Sequence, residues 1–232
     1  MSGQVLLWFE IIFDVFYLAA IWAITIYMFM KRDVLSEENK TIGLLFLLAF
    51  FLLALGDTGH VGFRVIAYAR GGLEDNPVLV GLGALATAVT VTGFYMIVAE
   101  IWRVRTKRSR TAIWWILMAV GIVRLLIMIP SGNDWGSVVP PFNWSLARNI
   151  PLMIQGLVVA VLLFVHGKKN NDTFSRNVSI MIFISYACYT PVILFVQQVP
   201  LIGMLMIPKT LAYVAVAVLA LKLFKTSEKQ RY

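Results

Sequence analysis

Stretches of more than about eighteen predominantly apolar residues recur along this chain, and a stretch that long reads as a transmembrane helix. Composition agrees: 60% of the 232 residues are hydrophobic and 14% charged, with a mean hydropathy of +0.82. A soluble domain, a coiled coil and a disordered chain are all excluded by those values. The sequence predicts an all-α polytopic membrane protein, one domain over residues 1–232, with seven helices in one bundle. The segments are Val5–Met30, Thr41–Tyr68, Val78–Trp102, Thr111–Pro130, Asn149–His166, Asn177–Gln198 and Val199–Phe224. The fifth is the shortest and has room to begin earlier, inside the preceding loop. Between the last two, Gln197-Gln198-Val199-Pro200 has to be a tight turn. Pro200 favours that turn over one long bent helix, because proline breaks the helical ladder.

The first segment reads as a span rather than a cleaved signal peptide. No basic residue precedes it, and Glu10 and Asp14 lie within it. Lysine and arginine set the direction. Lys31, Arg32 and Lys40 follow the first span, and Arg103, Arg105, Lys107, Arg108 and Arg110 follow the third. Lys168, Lys169 and Arg176 follow the fifth, and Lys225, Lys229 and Arg231 follow the seventh. The alternate loops hold only Arg70 and Arg148. The N-terminus is therefore expected outside and the C-terminus in the cytoplasm. The net charge of +8 belongs to this asymmetry and to lipid headgroups, so no nucleic-acid partner is expected. One cysteine, Cys188, rules out an internal disulfide and a cysteine-based metal site.

Ionisable residues inside spans are costly and mark functional positions or buried pairs. Here they are Glu10, Asp14, Asp57, His60, Arg64, Arg124 and Lys209. At helical rise, Asp14, Asp57, Arg124 and Lys209 each fall within about 5 Å of their span's midpoint, on its outer side. Glu10, Asp14 and Tyr17 share one helix face, as do Asp57, His60 and Arg64, and Lys209 and Tyr213. Three carboxylates (Glu10, Asp14, Asp57) balance three cations (Arg64, Arg124, Lys209), as a low-dielectric interior demands. A structural ion network pinning helices together is the plain explanation. A polar pocket opening outward is the functional one.

Gly56, Gly59 and Gly62 follow the same face of span two and permit close backbone approach. Gly81, Gly83, Ala84 and Ala88 give span three a small-residue packing surface. Pro208 is expected to kink span seven near its middle, beside Lys209. The loop Ser131–Arg148, with Trp135, Pro140, Pro141, Phe142 and Trp144, reads as an aromatic belt or as a lid over the pocket.

Three stretches carry a resemblance: Gly56-Asp57-Thr58-Gly59-His60 followed by Arg64; Pro140-Pro141-Phe142-Asn143-Trp144 leading to Arg148-Asn149-Ile150-Pro151 and Gly156; and Met204-Leu205-Met206-Ile207-Pro208-Lys209-Thr210. Together they resemble a family of small bacterial seven-helix membrane proteins without an assigned activity. The resemblance implies a multi-pass protein of the bacterial cytoplasmic membrane and brings no catalytic residues with it.

The favoured expectation is a receptor- or carrier-like protein. It binds a small or lipid-like anionic or zwitterionic ligand through Glu10, Asp14, Arg64, Arg124, Gln155, Lys209 and Tyr213. One alternative is a membrane-embedded lipid-modifying enzyme, with Asp57 and His60 as catalytic carboxylate and general acid/base. Another is a retinal-type protein with a Schiff base at Lys209. No metal site is expected, because three cations stand near the carboxylates. No particular cofactor is indicated.

Overall fold

A computed structural model describes residues 3–229, with side chains from 11 to 225. Among these residues every regular element is helical. The α-helices are α1 (Gly3–Met30), α2 (Glu37–Ala69), α3 (Pro77–Arg105), α4 (Ala112–Ile127), α5 (Phe142–Lys169), α6 (Thr173–Phe195) and α7 (Met206–Lys229). Short 3₁₀ segments lie at Arg32–Val34, Ser131–Asn133 and Pro200–Leu205. Six helical segments are long and apolar enough to cross a membrane, while α4 has 16 residues. Large apolar side chains such as Phe16, Ile116, Leu126 and Ile129 point outward. In water such a surface would drive association; against lipid it is the expected exterior of a multi-pass helical membrane protein.

Side-chain contacts sort the connections into two ends. Arg105 reaches Asp172 with both Nε and Nη2, at 2.8 and 3.1 Å, and Phe174 meets Phe46 edge-on at 5.7 Å. The connections α1–α2, α3–α4 and α5–α6 therefore share one end, which carries the basic clusters. At the other end, the Gln197 amide donates to the Pro140 carbonyl at 2.9 Å. A Cβ added to Gly81 would lie 1.7 Å from the Trp135 carbonyl oxygen. Thus α2–α3, α4–α5 and α6–α7 turn together there. Helices α2 and α3 pack closely: a Cβ on Gly56 would lie 1.8 Å from Thr90 Oγ1, and Thr87 Oγ1 donates to the Gly56 carbonyl at 3.0 Å. Gly62 has no neighbour near its missing Cβ, so it takes no part in that approach. The expected packing stripe on α3 is divided. Gly83 meets the α2 backbone and Gly81 seats Trp135, while Ala84 and Ala88 face a cavity.

Several sequence expectations need correction. Helix α5 begins at Phe142, directly after Pro140-Pro141, which brings Arg148 out of the loop and into the helix. After the turn at Gln197–Val199, residues Pro200–Leu205 form a 3₁₀ segment, and α7 starts only at Met206. Pro208 is therefore the third residue of α7 and does not kink its middle. The first helical N–H groups have no intrahelical acceptor, so a proline there sacrifices no bond.

At the basic end, Asp172 caps α6 by accepting from Ser175 N at 3.2 Å and Ser175 Oγ at 2.7 Å. His166 Nε2 stands 3.8 Å from its carboxylate. Burial alone would raise the Asp172 carboxyl. The hydrogen bonds from Arg105 and Ser175 outweigh burial and hold it well below the usual carboxylate range. A depressed folded-state pKa stabilises the fold above the unfolded value, near 3.9, and that contribution fades as pH falls below about 4. Asp172→Asn is expected to lower stability at neutral pH by roughly 2 kcal/mol, the size of a lost charged cap. Unfolding in detergent would show the gap to wild type narrowing as the pH drops below about 4.

Candidate functional site

A cavity of about 720 Å³ lies toward the end opposite the basic clusters, within the roughly 300–1,000 Å³ range of small-molecule sites. Every helix contributes to its wall. Asp14 and Tyr17 come from α1, and Asp57, His60 and Arg64 from α2. Thr87 and Ala88 come from α3, Arg124 from α4, and Arg148 and Asn149 from α5. Tyr186 and Tyr189 come from α6, and Lys209 and Tyr213 from α7. The intramembrane charges picked out from the sequence thus converge, with the exception of Glu10, whose side chain lies outside the described residues. Gln155 also stands apart. It is fully buried, and its Nε2 donates to the Leu117 carbonyl at 2.9 Å. Gly121 leaves room for that amide against α4, so Gln155 ties α5 to α4 and does not line the cavity.

Each charged group has a distinct environment. Arg124 is 2% exposed. Its Nε donates to the Arg148 carbonyl at 2.8 Å and its Nη1 to the Ala88 carbonyl at 2.8 Å and to Thr92 Oγ1. Pro151 lies close to one of these acceptors. It removes the helical donor to the Ala147 carbonyl, while the neighbouring carbonyl of Arg148 accepts from Arg124. Among the described residues no hydrogen bond to another protein group uses Arg124 Nη2, and Arg124 lines the cavity. Arg148 donates to Asn133 Oδ1 at 3.2 Å and lies 4.5 Å from the Trp135 ring centroid. Asn133 in turn donates to the Ile127 and Pro130 carbonyls at 2.7 and 3.1 Å, and Trp135 Nε1 to the Met128 carbonyl at 3.0 Å. The proline-rich loop therefore packs as a plug beside the cavity. Its aromatic residues are absent from the cavity lining.

Asp57 accepts from Tyr17 Oη at 2.6 Å and from Thr87 Oγ1 at 3.5 Å. It makes no hydrogen bond to His60, whose Nδ1 is buried without a partner. Lys209 Nζ stands over the Tyr189 ring at 4.2 Å from its centroid and 5.8 Å from that of Tyr213. Among the described side chains it has no hydrogen-bond acceptor and no ion-pair partner. Tyr213 Oη and Tyr95 Oη are 2.9 Å apart beneath it. Among the described residues no three His, Cys, Asp or Glu side chains converge as a metal site.

The charge balance expected from sequence fails in a specific way. Arg148 enters the wall as a fourth cation with Arg64, Arg124 and Lys209, against Asp14 and Asp57. Formal charge is two positive in excess, and Glu10 can reduce that by one at most. The missed signal was Arg148, Asn149 and Leu152 on one face of α5, with Tyr186, Tyr189 and Val192 at helical spacing on α6. The other missed wall, Pro200–Leu205, carries no polar motif to find.

No protein-family model, no curated protein and no solved structure matches the chain.

The two central cations should respond differently to neutralisation. Arg124→Met removes three bonds linking α3, α4 and α5 and should cost roughly 3 kcal/mol of stability. Lys209→Met removes a buried charge that has ring contacts but no hydrogen bond or ion pair among the described residues, and should leave stability within about 1 kcal/mol of wild type or raise it. Denaturant unfolding in detergent compares them. An equal loss in both variants would make Lys209 a structural residue.

Proposed function

We propose that this chain is a seven-span protein of the bacterial cytoplasmic membrane, N-terminus outside, whose cavity binds an anionic or zwitterionic small or lipid-like ligand in the manner of a receptor or carrier. One observation supports the reading most: Lys209 presents an ammonium group to a cavity with excess positive charge, over tyrosine rings and with no hydrogen-bond acceptor among the described side chains, Asp57 acting on it only through space. A cation in a low-dielectric site gains most from an anion that completes its shell. Arg124 Nη2 and Lys209 meet the anionic group, and Asp57, Asp14 and Arg64 set the polarity around it. Tyr213 supports Lys209 from below.

The loop charges support the orientation, since the end holding Arg105, Lys107 and Arg108 is the cytoplasmic one under the positive-inside rule. Helix α4 joins connections at opposite ends, which supports a seventh crossing. The sequence resemblance supports the bacterial setting. The enzyme reading has less behind it, because Asp57 is bonded to Tyr17 and Thr87 and not to His60. A retinal-type role has only the position of Lys209 in its favour.

The direct test is purification in mild detergent, denaturing extraction, and mass spectrometry of the released small molecules. One anionic species should accompany the wild type well above its share of bulk lipid and be depleted from Lys209→Met. Identical lipid profiles for the two proteins would remove the support for a ligand. For orientation, protease added to inside-out vesicles should cut the Thr106–Arg110 loop, and protease added to right-side-out cells should leave it intact.

A further inference from the structure

The cavity wall is chemically lopsided. Around its upper part, α1, α2 and α5 present Asp14, His60, Arg64, Arg148 and Asn149. The facing wall, from the end of α6 through the 3₁₀ segment, presents Val192, Val196, Leu201, Met204 and Ile207, without a single polar side chain. That wall also reaches the exterior: Leu201 lines the cavity and is 66% exposed. Beside it, Phe195 and Val199 are 50% and 48% exposed. An apolar strip therefore runs from the exposed rim of the α6–α7 connection down to the level of Lys209.

The volume makes a second point. At about 720 Å³ the space far exceeds an inorganic anion, since one water claims only about 30 Å³ of liquid. A small hydrophilic anion would leave the apolar strip facing water. An anionic head joined to a hydrocarbon chain satisfies both walls, with its head at Lys209 and Arg124 Nη2 and its chain along the α6–3₁₀ side.

Resting on the anionic-ligand reading above, we infer that the occupant is a single-chain amphiphilic carboxylate of the fatty-acid class, which enters head-first from the bilayer past Leu201.

The test uses the full chain in phosphatidylcholine nanodiscs and palmitate bearing a mid-chain diazirine, followed by photolysis and peptide mapping. Adducts are expected within residues 192–205, competed by unlabelled palmitate but not by acetate. In Lys209→Met their yield should fall roughly tenfold or more, the worth of one charge-assisted bond. Because Lys209 is internal, Leu201→Asp at the exposed rim supplies a second variant, which should also depress labelling. Melting of each variant checks its fold. Adducts scattered over the lipid-facing surface, or not competed by palmitate, would overturn the proposal. Competition by acetate as effective as that by palmitate would overturn the chain-bearing class and leave an anion-binding cavity standing. Depletion of a co-purifying anion in Lys209→Met without any palmitate labelling would do the same.

Discussion

The architecture of the cavity depends on where the Arg124 guanidinium spends its hydrogen bonds. It is buried at the junction of α3, α4 and α5 and donates to two main-chain carbonyls and one hydroxyl. Hydrogen bonds from a charged donor in a low-dielectric setting are among the strongest non-covalent ties available. Because its acceptors are neutral, Arg124 keeps its positive charge uncompensated by a bonded carboxylate. The same side chain is thus a girder and a source of field.

Lys209 follows the opposite logic. Its ammonium has ring faces for neighbours, and rings attract a cation without consuming its hydrogen-bonding capacity. Asp57 is occupied by two hydroxyl donors, so it does not close on the lysine. Lys209 and Asp57 thus share the cavity wall without forming an ion pair.

Much of the helical layout was legible in the sequence, because hydrophobic length and loop charge act on whole segments. The convergence of Asp14, Asp57, His60, Arg64, Arg124 and Lys209 was legible too, since depth along a helix can be counted. Lateral relations were not. Gln155 is a polar residue within a span, but the direction of its side chain depends on the gap at Gly121. Arg148 looked like a loop charge because the start of α5 depends on Pro140-Pro141 and on the docking of Trp135 against Gly81. Pro208 looked like a mid-helix kink because nothing in the pattern marks where 3₁₀ winding gives way to α.

Helix α4 carries a consequence of its own. Its 16 residues rise only about 24 Å at α-helical pitch, against a hydrocarbon core near 30 Å. Its outward face is apolar, with Trp115, Ile116, Ile122 and Leu126 exposed. With α4 as a seventh crossing, lipid beside it would meet a shorter apolar belt than lipid beside α2 or α3. Hydrophobic mismatch of this kind is relieved by bilayer thinning or by lateral association, and that flank would favour shorter-chain lipids.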